Sequence, residues 1–170
     1  MHARRLVMLN LALAFYNAAM IWLFQLDIYP SWSFVPTSDF VSAEGQHLLA
    51  TSLSVFPAAV AATVVSVLFV VRRPMVIDVA RVRIGAVLQV LSWLLTAFVF
   101  GPWQGRLTEP VSAAKDQLAR ALGPANDALY HTMMIAHWGR VAVVSAYAML
   151  AWSIAAHALV PAPVQRPATT

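Results

Sequence analysis

Four long stretches of this chain contain no charged residue at all: 6–26, 48–71, 84–100 and 141–160. A helix that crosses a bilayer needs about 20 predominantly apolar residues, with roughly 17–25 observed. Each stretch is therefore read as a membrane-crossing helix. The third is short but continues through Gly101, Pro102 and Trp103, and the fourth begins well before its apolar run, near Asn126. With these flanks the spans run over about 6–29, 44–72, 82–101 and 130–159, so residues 1–160 form one all-α, four-transmembrane-helix bundle. The first stretch has a basic start and a loosely cleavage-like Asn17-Ala18-Ala19. Its apolar run outlasts the 7–15 residues of a signal-peptide core, which favours a retained helix.

The connections carry the punctuation. Pro30, Pro36 and Pro110 mark the segments after the first and third spans as non-helical or helix-starting. Within the second of these, 111–122 reads as a short amphipathic helix. Val111, Leu118 and Leu122 are its apolar positions and Lys115, Asp116 and Arg120 its polar ones, and Gly123-Pro124 ends it. The proline-rich tail 161–170 is expected to be disordered. No internal repeat or second domain is evident.

Charge then gives direction. Arg4 and Arg5 precede the first span and Arg72, Arg73, Arg81 and Arg83 bracket the second connection, whereas 27–47 contains no Lys or Arg. Basic loops stay on the cytoplasmic side. Both termini are therefore expected in the cytoplasm of a multi-pass cell-membrane protein, with Tyr29, Trp32 and Trp103 at the outer interface. The composition agrees. The 170 residues are 61% hydrophobic and 11% charged, against about 45–50% and ~25% in soluble domains, so lipid must be the solvent for much of the chain. The net charge of +4 sits in topology signals and forms no aromatic-interleaved stripe, which excludes nucleic acid as a partner. The absence of cysteine removes disulfides, thiolate metal sites and thiol nucleophiles.

Polar residues in hydrocarbon are costly and usually face the bundle interior. Asn10 and Asn17 share a face of the first span, and Gln89, Ser92 and Thr96 share one on the third. For Asn10, Asn17, Gln89 and Ser92 interhelical hydrogen bonding, worth about 0.6 kcal/mol per contact, is the favoured reading. The outer ends hold the candidate site. Glu44 and His47 are spaced i, i+3 where the second helix begins, and His137 and Arg140 repeat that spacing at the mouth of the fourth, with Tyr147 two turns below Arg140. Asp127, His131 and Trp138 share a neighbouring face; Gln25 and Asp27 close the first helix, and Gln104 follows the third. All four helices thus contribute to a polar rim, as a pocket opening outward or a lateral lipid portal would require. Each member also has a plainer role: Glu44 as a helix-start charge, Asp127–His131 as a surface pair, Arg140 as a snorkelling side chain, and His157 as an inner-interface residue.

Glu44-x-x-His47 has the spacing of half a di-iron carboxylate site, but such a site needs further glutamates and the chain has only Glu44 and Glu109. A mononuclear site on His47, His137 and Glu44, or with His131, stays open for Zn, Cu or non-haem Fe, although no defining spacing supports it; the expected cofactor is none. Nucleophile elbows, phosphate-binding glycine loops and haem-attachment motifs are missing from the sequence. A transporter normally pairs inverted repeats, so transport would require a homo-oligomer.

Several short motifs share an order with one family. Trp22-x-x-Gln25-x-x-Ile28-Tyr29-Pro30 closes the first helix, and Phe40 is followed by His47. Pro57 lies inside the second helix, Pro102-x-Gln104-x-x-Leu107 follows the third, and His137-Trp138-x-Arg140 opens the fourth. In this the chain resembles the anthrone-oxygenase-like family of small four-helix membrane proteins, especially its bacterial branch. Glu44 stands where that branch often has histidine, and Gln104 where it often has histidine or asparagine. The resemblance implies cofactor-independent oxygenation of a hydrophobic polycyclic phenolic ketone to a quinone. It implies His47 as the base, with His137 beside it, and Arg140 and Gln104 as oxyanion donors. Trp22, Trp103 and Trp138 would stack on a flat substrate, with Gln25, Glu44 and Tyr147 completing its surroundings. The alternative is a non-catalytic membrane subunit that binds a lipid, a quinone or a partner protein.

Overall fold

The structure, a computed structural model, describes residues 2–35, 37–72, 77–108 and 128–159. Among them every regular element is helical and no strand occurs. The first rod begins with α1 (His2–Leu23) and continues through a π-helical turn (Phe24–Ile28), an α turn (Tyr29–Ser31) and a 3-10 turn (Trp32–Phe34). The second rod is α2 (Thr37–Arg72). The third joins α3 (Val79–Leu95), a second π turn (Thr96–Phe100) and α4 (Gly101–Thr108). The fourth is α5 (Ala128–Leu159).

Four segments are long and apolar enough to cross a membrane: Ala3–Phe34, Ser42–Arg72, Val79–Gln104 and Tyr130–Ala158. The chain is an all-α, multi-pass membrane protein. The first and third segments reach farther than their apolar runs because helical turns carry Asp27 and Gln104 along the same rods. The expected 111–122 helix, Glu109, Asp127 with its His131 pairing, and the 161–170 tail lie outside the described residues.

Local chemistry explains the element ends. Asp78 sits in extended backbone and accepts from the Ala80 N–H (3.2 Å), capping α3. At Gly101 the N–H closes the second π turn onto the Thr96 carbonyl, and a Cβ there would stand only 3.1 Å from that oxygen. Glycine fits where a side chain would push the turn open. Ser52, Ser54 and Thr63 return their hydroxyls to carbonyls one turn back (2.7–2.9 Å), so these three are not left unpaired toward lipid.

Neighbouring rods pack as α1 with α5, α5 with α3, α3 with α2 and α2 with α1, giving a four-sided bundle. Buried Ala14, Ala148 and Ala151 allow α1 and α5 to approach closely. Val7, Val65, Phe69, Val82 and Ile154 fill one end of the core, where the arginines of α1, α2 and α3 also lie. Ile21, Phe24, Tyr29, Phe100 and Met133 fill the other. These are called the basic and the distal end below. Leu53, Val60 and Val64 on α2, Val87 and Val90 on α3, and Phe98 in the second π turn remain exposed on the outside, as lipid-facing positions should.

Candidate functional site

The distal end is organised around Tyr29, a fully buried ring on the first rod. Its hydroxyl accepts from Nε2 of Gln104 (3.3 Å), and its carbonyl accepts from the Tyr130 hydroxyl (2.8 Å). His47 and His137 both pack against its ring, with centroids at 5.9 and 4.9 Å. Nδ1 of His137 donates to Oε1 of Gln25 (2.8 Å), while Nε2 of Gln25 donates to the Met134 carbonyl (3.5 Å). That arrangement leaves Nε2 of His137 as an acceptor, buried and without a partner among the described residues. Glu44 is 1% exposed and both of its carboxylate oxygens lack a partner. The Arg140 guanidinium lies 5.4 Å from the centre of the Phe100 ring, a cation–π contact worth about 0.5–2 kcal/mol. Arg140 and Glu44 both lie close enough to the Tyr29 phenol to interact with it electrostatically. Gln25, Glu44, His47, Gln104, His137 and Arg140 are therefore brought together from all four rods.

Both π turns border this layer: Gln25 lies in the first, and Phe100 ends the second. A π turn adds a residue to the helical turn and often occurs at functional sites. Its change of side-chain phase is invisible to a search for helical periodicity.

Other expected members lie elsewhere. Trp22 and Trp138 are 40% and 47% exposed and stack edge-on to each other at 5.7 Å on the bundle surface. The Trp22 indole donates to Oγ of Ser145 (3.0 Å). Trp103 is half-buried against Phe100 (6.0 Å), and His131 is exposed beside Tyr130. Among the described residues no three His, Asp or Glu side chains gather as a metal would require. Glu44, His47 and His137 surround Tyr29 without forming such a donor set.

The open space lies deeper than the polar rim. A cavity of about 620 Å³, counted out to its open mouth, sits between all four rods near mid-height. Of the sequence-selected site residues, Arg140 and Tyr147 line it. His47 reaches its edge, with Nε2 3.5 Å from Oγ1 of Thr51, which is a lining residue. Asn17, Gln89, Ser92 and Thr96 line it too, so the face shared by the last three turns toward the cavity. Two of the lining residues each carry a buried atom with no partner among the described residues: Nε of Arg140, a donor, and Oδ1 of Asn17, an acceptor. His137 and Gln25 are level. Arg140 lies three residues deeper on α5 and Asn17 eight deeper on α1, so the two atoms differ in depth by roughly 7 Å.

Tyr147 forms the floor. Its hydroxyl donates to Oδ1 of Asn10 (2.6 Å) and accepts from Oγ of Ser66 (2.6 Å), joining α1, α2 and α5. Asn10 thus makes the interhelical bond its position suggested. Below this floor a second space of about 240 Å³ reaches Arg81, whose Nη2 donates to Nε2 of His157 (3.3 Å) at the basic end.

No protein-family model, curated protein or solved structure matches this chain. The site must speak for itself. It offers an apolar chamber at bilayer depth with one cationic donor and one amide acceptor unused, under a roof of buried imidazole, carboxyl and phenol groups. That arrangement suits a hydrophobic molecule carrying an oxygen.

Proposed function

We propose that this protein takes a hydrophobic, oxygen-bearing small molecule out of the bilayer and holds its oxygen on Arg140 in the four-helix cavity. The observation that carries this reading is Arg140, a charged residue that lines the cavity and whose buried Nε has no partner among the described residues. Ionisable groups inside a membrane are expensive and usually functional. A hydrogen bond from a charged donor contributes about 1.5–3 kcal/mol. The test is binding of a naphthoquinone to protein in nanodiscs, with Arg140→Gln as the variant. A Kd raised by roughly 10- to 150-fold is the expectation, and an unchanged Kd would remove Arg140 from the site. The charge pattern supports placing both termini in the cytoplasm of the cell membrane.

A second reading, cofactor-independent oxygenation, draws on the resemblance and on the position of His47 at the cavity edge beside Thr51. An imidazole base would take a proton from the ring methylene of an anthrone-like ketone. The resulting enolate would pass electrons to dioxygen, turning the methylene into a carbonyl while the second oxygen atom leaves as water. Oxygen uptake equal to substrate consumed, lost in His47→Ala with binding retained, would establish this activity. Binding without uptake in the native protein would identify a non-catalytic subunit instead.

A further inference from the structure

The place where the cavity opens decides what can enter it. Among its lining residues only Phe56, on α2, is exposed on the outside (40%). The Phe56 ring stands 5.9 Å from that of Trp93 on α3, tilted by 59°. Trp93 is held in place: its indole N–H donates to Oγ1 of Thr63 (2.8 Å). Phe56 has no polar anchor, and Pro57 follows it inside α2. Proline supplies no N–H to the Leu53 carbonyl, so the helix is weakened beside Phe56. The pair is a door with one fixed leaf and one movable leaf.

Its depth is informative. Phe56 lies fourteen residues after Ser42 and sixteen before Arg72, the ends of its span. That is roughly 20 Å from either end at the helical rise of about 1.5 Å per residue. Trp93 is likewise near the middle of Val79–Gln104. The Phe56–Trp93 pair therefore stands near the middle of both spans.

We propose that the ligand passes sideways between Phe56 and Trp93 at the bilayer midplane. We assign it to a class: an uncharged lipid with a small quinone- or quinol-type head and a long apolar tail. The head turns toward Arg140 while the tail trails through the door into the bilayer. A phospholipid does not fit, because its charged headgroup would have to cross hydrocarbon to reach the opening. A tail makes no demand on cavity volume when it leaves through the door. A head one or two rings long reaches from the free donor of Arg140 to the free acceptor of Asn17. This inference rests on the cavity reading given above.

The chain has no cysteine, so Phe56→Cys with Trp93→Cys gives one thiol pair that a short reducible bis-thiosulfonate linker can bridge. The probes are naphthoquinones with no tail, a short isoprenoid tail and a long one, exchanged into protein in nanodiscs. Linking is expected to slow exchange of bound quinone by more than about tenfold, as closure of a lid would, and reductant is expected to restore it in the same molecules. Lengthening the tail is expected to leave the Kd, per membrane concentration, unchanged within about twofold, since each added unit lies in lipid on both sides of the equilibrium. Unaltered exchange in the linked protein would overturn the door and leave the cavity standing. Loss of binding as the tail lengthens would overturn the lipid class. No quinone bound in either redox state would remove the cavity reading, and the inference with it.

Discussion

Replacing Tyr147 by phenylalanine removes one oxygen and keeps the ring, which isolates the hydroxyl that closes the cavity floor. In the native fold that oxygen makes two bonds of 2.6 Å, to Asn10 and from Ser66, and so ties three helices together. Interhelical hydrogen bonds in bilayers average about 0.6 kcal/mol and reach about 1.7, so two bonds contribute roughly 1–3 kcal/mol. The upper half of that range is favoured, because Oδ1 of Asn10 is left in a side chain only 2% exposed, and an unsatisfied buried acceptor costs about 1–3 kcal/mol by itself. Tyr147→Phe is therefore expected to destabilise the bundle by about 2 kcal/mol, read by reversible unfolding in mixed micelles or by steric trapping in bicelles. A double-mutant cycle sharpens the result. Asn10→Leu removes the acceptor, so the second hydroxyl deletion should then cost at least about 1 kcal/mol less than it does alone. Destabilisation below about 0.3 kcal/mol, or strict additivity of the two changes, would refute the network, because groups that share a bond do not act independently.

Three further expectations follow from particular positions. A methyl at Gly85 would stand 3.5 Å from Cδ2 of Leu150 and 3.6 Å from Cε2 of Tyr147, ordinary contacts, so Gly85→Ala should stabilise α3 by about 0.5–1 kcal/mol in the same unfolding assay. Trp22→Phe and Trp138→Phe should leave quinone Kd within about twofold, since contacts outside a site contribute little to it; a larger loss would place either ring in the cavity. In inside-out membrane vesicles, an impermeant maleimide should label Ala3→Cys and spare Ser33→Cys, and the reverse pattern would invert the charge-based topology.

The four spans were legible because hydrocarbon tolerates so few residue types: any uncharged run of sufficient length has little else to be. Their ends were less legible. Asp27 sits within a π turn that continues the first rod, and no pattern of polar spacing announces a π turn. The distal cluster was half legible. The i, i+3 pairs Glu44–His47 and His137–Arg140 fixed common faces, and the structure turns those faces inward. What a single helix cannot reveal is its rotation relative to three neighbours, or the depth at which space remains. Gln89 reads as helix–helix glue and does accept from Oγ1 of Thr63 on α2 (3.4 Å), yet it and Ser92 also line the cavity. Trp138 could have been placed from the sequence once His137 was taken as buried: one residue further is about 100° round the helix, which turns the indole outward. Tyr29, read only as an interface aromatic, gave no sign of becoming the hub, because its partners come from rods distant in sequence.

The unpartnered polar atoms fall into two groups by depth, and the division bears on what each is for. Both Glu44 oxygens and Nε2 of His137 lie in the distal layer, and buried water commonly satisfies such groups with two to four bonds. Oδ1 of Asn17 and Nε of Arg140 lie deeper, in side chains that line the chamber. Lipid tails offer them nothing. Leaving each unsatisfied costs about 1–3 kcal/mol, and more for the charged group, out of a net stability of only about 5–15 kcal/mol for a typical protein. A sequence that can fill a bilayer-depth gap with leucine has no stabilising reason to place an arginine and an asparagine there. Their cost is offset only when something that dissolves in the membrane brings its own oxygen to them.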